Sequence, residues 1–179
     1  MPSLQTVQFL VLAAILLAAV VLDLRERRIP NKITLPGLLV GLALGVGLEG
    51  GIPLSAMAGA GVALFLSFPF VALGGLGAGD SKLLTAVGAF VGPGALLPVA
   101  FYGAVAGAGL AVLASLRRGS FLGLVLSSGG LLVYLVTFGR RGHRLSLDTP
   151  GAQSVPYAVA IALGAVAAWF FPFSLGTTV

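Results

Sequence analysis

Carboxylate chemistry in this chain of 179 residues has only five side chains to draw on: Asp23, Glu26, Glu49, Asp80 and Asp148. Asp80 stands with Lys82 in GGLGAGDSKLL, residues 74–84, between two long uncharged stretches, and Asp23 closes an uncharged stretch that reaches back to residue 1. An ionisable group set against a membrane-spanning segment is expensive to keep and marks a functional site by default. Two carboxylates brought together in a low-dielectric recess cannot both ionise cheaply, so they share a proton and titrate as a unit. The charged member can then take a proton from water while the neutral member polarises a peptide carbonyl, as in the dyad of aspartic proteases.

The competing roles are structural. An Asp directly before an apolar run is a good N-cap, which is the alternative for Asp80. Asp23 could simply mark the membrane interface. Glu26 lies among arginines as a solvated partner, Glu49 falls in the turn EGGIP, and Asp148 precedes Pro150 in a polar loop. The single histidine, His143, sits in RRGHR as a solvated loop residue, and no serine has a Lys or His at a dyad or triad spacing. Cysteine is absent, which removes a disulfide framework, a thiolate zinc site and a cysteine nucleophile together. No metal site and no cofactor are expected.

The elements that must position the acids follow from composition. The chain is 58% hydrophobic and only 8% charged, with a mean hydropathy of +1.11. Uncharged windows at 1–22, 33–48, 50–79, 83–116, 119–139 and 149–179 are mostly long enough to span, since a crossing needs about 20 apolar residues. The expected fold is therefore an all-α polytopic membrane protein. The net charge of +5 could suggest nucleic acid, but the basic residues cluster beside apolar runs, where they set topology. Those clusters are Arg25, Arg27, Arg28 and Lys32; Lys82; Arg117 and Arg118; and Arg140, Arg141 and Arg144.

Placing all four clusters in the cytoplasm puts both termini outside and gives about six transmembrane helices. These run near 4–24, 33–48 and 54–73, from Asp80 to Val91, then 95–116 and 154–173, with a turn at the GPG of 92–94. A fourth helix of that length rises only about 18 Å, well short of the roughly 30 Å hydrocarbon core, so Asp80 would lie at the floor of a recess open to the cytoplasm. Residues 119–139, with arginines at both ends and SSGG at 127–130, are expected to lie on or dip into the cytoplasmic face. The first helix lacks a preceding basic residue and is read as retained rather than cleaved. Residues 1–179 form one membrane-embedded domain with no internal repeat. Gly37, Gly41 and Gly45, one every four residues, mark a helix-packing face. Gly75, Gly77 and Gly79 are expected to give the backbone before Asp80 turns closed to other residues and room for a substrate strand.

Three stretches carry a resemblance. GAGDSKLL resembles the G-x-G-D-x-K-L motif of the type IV prepilin peptidases, a branch of the GxGD intramembrane aspartyl proteases. DLRERRIPNKIT resembles the region around that family's first aspartate, with Ile29, Pro30 and Asn31 as its I-P-N triplet, and SVPYAVAIALG at 154–164 resembles its late P-[YF] segment. Order and spacing agree across residues 23–164. The resemblance implies that Asp23 and Asp80 are the catalytic pair, with Gly77, Gly79, Lys82, Pro30, Asn31, Pro156 and Tyr157 supporting the motif or binding substrate. It also implies a pilin-like precursor as substrate, whose short basic leader is cut at the cytoplasmic face of the inner membrane just before its apolar helix. The short loop RERRIPNK and the lack of cysteine make the chain similar to the compact Flp/Tad-type branch, without the cysteine-bearing segment and methylation of the larger bifunctional members.

Lys82 has three readings: a positive charge acting on the dyad, a ligand for a substrate carboxylate, or a snorkelling interface lysine. Two other functions compete with the peptidase. A small proton-coupled transporter would use intramembrane acids as a relay and needs polar groups leading to both faces. A non-catalytic scaffold of a pilus-assembly machine would use the glycine-rich faces for partners.

Overall fold

The computed structural model describes residues 3–72, 75–117 and 156–171. With no water in hydrocarbon to take up backbone polar groups, a run of apolar residues must satisfy them internally, and helices do so. Among the described residues the elements are α1 (Leu4–Glu26), α2 (Asn31–Glu49), α3 (Leu54–Ala72), α4 (Ala78–Arg117) and α5 (Tyr157–Phe170). Four of them, α1 to α4, are long and apolar enough to cross a membrane, and α5 is a shorter apolar helix. The protein is thus a polytopic helical membrane protein. The segment 119–139, His143 and Asp148 lie outside the described residues.

The expected turn at 92–94 is not a loop. Helical structure continues through Pro93 and Gly94, and the break is confined to Gly92, whose φ of 72° and ψ of 173° are open to glycine and strained for other residues. Pro93 has no N–H to donate, and the break disturbs the helical ladder around it. The Gln8 side chain of α1 donates to the carbonyl of Phe90 at 2.6 Å, supplying a partner beside the break. That use of Gln8 is structural, so it does not extend a polar path along the half of the bundle away from Asp23.

Gly92 divides α4 into a first limb, 78–91, and a second, 93–117. Thr85, Ala86, Val87, Gly88, Ala89 and Phe90 are buried in unbroken succession, so this stretch of the first limb is enclosed on every side. The others each bury a stripe at helical spacing: Thr34, Gly37, Gly41 and Gly45 on α2, and Ala56, Gly59, Ala63 and Ser67 on α3. The glycine face expected on α2 is therefore a packing face. A Cβ on Gly41 would lie 2.9 Å from the Phe90 ring, and one on Gly37 would lie 3.4 Å from Ile15. Gly59 and Gly88 bring the backbones of α3 and α4 into direct contact, where each would drive a Cβ into the other's carbonyl oxygen.

Antiparallel packing fixes levels along the bundle. On the second limb of α4, Gly107 meets Tyr157 and Ala160, Gly103 meets Ala160 and Ile161, and Val99 meets Gly164. On α1, Phe9 packs against Trp169 with ring centroids 4.7 Å apart and the rings tilted by 40°, whereas Asp23 is level with the start of α5. Leu16, Leu83, Val87, Val99 and Ile161 form the core where α1, α4 and α5 meet.

Candidate active site

The last turn of α1 and the first turns of α2, α4 and α5 converge at one end of this bundle. Asp23 is only 7% exposed. Its Oδ2 accepts a hydrogen bond from the Ala158 N–H at 3.1 Å, across 135 residues of sequence. α5 needs such a partner. Its N-cap is Pro156, which makes no side-chain capping bond, so a carboxylate from another helix satisfies an amide that would otherwise be orphaned. The N-terminal end of α5 also favours a negative charge there.

Asp80 is partly buried and lies within electrostatic range of Asp23. α4 starts at Ala78, two residues before the expected start, so Asp80 is its third residue rather than the N-cap that the structural alternative made it. From there the carboxylate reaches back to accept from the Gly77 N–H, the half of a capping box that an acidic third residue provides. Capping and proximity to Asp23 are thus both properties of one side chain.

The glycines of the motif also act differently from expectation. Gly77 and Gly79 do not have left-handed backbone conformations; what they supply is space. A Cβ at Gly77 would lie 2.6 Å from Asp80 Oδ2, and one at Gly79 would lie 3.2 Å from Ile29 Cβ and from the Ile29 carbonyl oxygen. Gly79 therefore lets the start of α4 press against the I-P-N triplet. Pro30 is the N-cap of α2, and Asn31, its first residue, accepts a hydrogen bond from Lys82 Nζ at 2.9 Å through Oδ1. Lys82 and Asn31 are both exposed, so this bond lies at the rim.

Tyr157, the first residue of α5, lies within electrostatic range of Asp80. Because Gly107 packs beside Tyr157, the second limb of α4 reaches the level of the carboxylates about ten residues before its end at Arg117, or roughly 15 Å of helix at 1.5 Å per residue. The pair is set back from that end by the same depth. Among the described residues no group of three His, Cys, Asp or Glu could hold a metal ion.

Every site residue expected from sequence is thus gathered at one end of the bundle, with Asp23 buried, Asp80 partly buried, and Tyr157, Lys82 and Asn31 exposed around them. The Ala158 amide was not foreseen, because nothing local marks a backbone donor whose acceptor lies on another helix. Gly107 was foreseeable, since Gly103 and Gly107 repeat at the four-residue spacing that marked α2.

Residues 10–112, which include both aspartates, match the type IV leader peptidase family. The chain belongs to that family. Among curated relatives, a prepilin leader peptidase/N-methyltransferase of Myxococcus xanthus is 35% identical over 123 residues, covering 64% of this chain and 36% of that protein. The chain therefore spans about a third of the length of that relative. No solved structure matches it. Pro156 and Tyr157 lie beyond the residues matched to the family, yet the fold carries them to the same place as the two aspartates.

Proposed function

We propose that this leader peptidase family member is an aspartic endopeptidase that removes the basic leader from pilin-like precursors, with Asp23 and Asp80 as its catalytic pair. The observation that carries the reading is the approach of two carboxylates at a buried position, one of them 7% exposed and held by a helix amide. The pair holds one proton between its members. The ionised carboxylate takes a proton from water as the oxygen attacks the scissile carbonyl carbon, and the neutral one donates its proton to the carbonyl oxygen. Collapse of the resulting diol breaks the C–N bond: the departing amine takes the proton from the carboxylic acid, one diol hydroxyl returns its proton to the other carboxylate as the carbonyl re-forms, and the dyad is left with one proton as at the start.

In this reading residues 1–179 form one membrane-embedded unit of six crossings in the inner membrane, the two limbs of α4 counting as two. Both termini lie outside and the dyad opens to the cytoplasm, an orientation supported by the arginines near its end of the bundle. Residues 27–30 are all that join α1 to α2, which supports the compact Flp/Tad-type branch. The transporter reading is disfavoured because the polar Gln8 of the outer half is committed to the Phe90 carbonyl.

The test is reconstitution of the purified chain in lipid vesicles with a synthetic precursor bearing a basic leader and an apolar helix of about 20 residues. Mass spectrometry should find one cut just before the apolar stretch and an unmethylated new N-terminus. An intact precursor would refute the assignment. The topology has its own check: cysteines introduced at Ser120 and Ser146 should both be shielded from an impermeant thiol reagent added outside, and labelling of either would overturn the six-crossing arrangement.

A further inference from the structure

Rotation of α4 about its own axis decides where the Asp80 carboxylate points, and the α3 face it presses on does little to fix that rotation. α3 faces it with Ala56, Gly59, Ala63 and Ser67, and contact runs backbone to backbone at Gly59 and Gly88. Small residues permit close approach but offer no ridges to lock into grooves. One directional contact interrupts this smooth surface. Ser67 on α3 and Ser81 on α4 are 2% and 5% exposed, and their hydroxyl oxygens are 2.6 Å apart. Ser67 also donates to the Leu64 carbonyl at 3.2 Å. Either hydroxyl can donate across the interface, and when Ser81 does so the Ser67 proton is free for the Leu64 carbonyl. Thr85, one turn further along α4, returns its own hydroxyl to the Ser81 carbonyl at 2.8 Å.

We propose that the Ser67–Ser81 hydrogen bond is a positioning device that sets the rotation of α4 and so holds Asp80 toward Asp23. Its consequence for catalysis rests on the peptidase reading, but its effect on geometry does not. Ser81 follows Asp80 directly, so turning one turns the other. With side chains reaching about 5 Å from a helix axis, a rotation of roughly 20° would carry the carboxylate by about 2 Å. A misplacement of about 1 Å at a reacting group can cost as much as 100-fold in rate. The exposed Lys82–Asn31 bond joins a long flexible side chain at the rim and restrains the angle less. Nor is the serine pair needed to hold the fold. Ser67 keeps Leu64 as acceptor, and Ser81 can turn to the Gly77 carbonyl one turn back, so removing either hydroxyl strands no buried group.

Ser67→Ala, Ser81→Ala and the double variant should be assayed in lipid vesicles against the synthetic precursor, beside the unaltered chain and Asp80→Asn. Each single change should lower kcat about tenfold while KM moves by no more than roughly twofold, and the double variant should be no worse than either single one. A second readout is independent of activity. The chain has no cysteine, so Asp23→Cys with Asp80→Cys gives one thiol pair for a short bifunctional reagent. Adding Ser67→Ala should slow bridging about fivefold, as expected for a loosened angle, with the melting temperature unchanged. Unaltered kcat in Ser81→Ala, or unaltered bridging with Ser67→Ala, would overturn the proposal. If the unaltered chain does not cleave, the peptidase reading falls and bridging alone decides whether the serines position Asp80.

Discussion

At opposite ends of the bundle, two carboxylates reach from the end of one helix to the first turn of another. Glu49 closes α2 and accepts from the Ser55 N–H of α3 at 3.2 and 3.3 Å. Asp23, in the last turn of α1, accepts from the Ala158 N–H of α5 at 3.1 Å. Each sits where its own helix dipole disfavours an anion and the neighbouring helix favours one. The resemblance stops there. Glu49 is exposed and serves the next helix along the chain, whereas Asp23 is buried, serves a helix 135 residues away and has a second carboxylate within electrostatic range. A neutral Ser or Asn would cap α5 without repulsion from Asp80. An acid in that position, beside a second carboxylate, is what the proposed catalytic pair requires.

Asp23→Asn should give the largest effect. Its side chain retains an oxygen to accept from Ala158, so the docking of α5 should survive, but it cannot act as a general base. Cleavage should fall by at least about 1000-fold with little change in melting temperature, measured on the same vesicle preparation. Full activity would reduce Asp23 to a second Glu49 and break the comparison.

The next effect falls on the packing between the two ends. Gly88→Ala would set a methyl against the Gly59 backbone and should destabilise by about 1–3 kcal/mol, whereas Gly61→Ala, which meets open space, should leave the melting temperature in detergent almost unchanged. Equal effects would mean that the close approach of α3 and α4 is not what holds the first limb.

Glu49→Gln keeps an acceptor for Ser55 and should cost only about 0.3–1 kcal/mol through the lost charge at the start of α3, less in high salt, with cleavage intact. A strong loss of activity would show that the Glu49 end of the bundle is coupled to the two aspartates. Addition of a chelator should have the smallest effect, leaving the cleavage rate unchanged; loss that zinc restores would contradict an aspartic mechanism.

Helix extents were legible because hydropathy and charge report them directly: α1, α2 and α3 lie within a few residues of the expected spans, and small-residue spacing revealed the buried face of α2. The motif stretches likewise named residues that the fold gathers. Partners across the bundle were not legible. Apolar residues surround most of these helices, so hydrophobic periodicity does not say which face meets which neighbour. The Asp23–Ala158 and Ser67–Ser81 contacts arise only when α1 meets α5 and α3 meets α4. Gly77 illustrates a subtler limit: sequence suggests backbone freedom, while its actual use is the space taken by the Asp80 carboxylate.

Asp80 tests the account most directly because its carboxylate both caps the start of α4 and lies within electrostatic range of Asp23. Its carboxylate accepts from the Gly77 N–H, and Asn can accept the same bond, so Asp80→Asn should insert, fold and begin α4 as before. It cannot share the proton of a dyad. The decisive measurement is cleavage of a synthetic precursor by Asp80→Asn, Asp23→Asn and the double variant, each first shown to be inserted and folded in lipid vesicles. The account predicts that both single variants are inactive and the double no worse, as for residues acting as one unit. Cleavage at the normal rate by a well-folded Asp80→Asn protein would leave Asp80 as a helix cap and contradict the assignment of the pair.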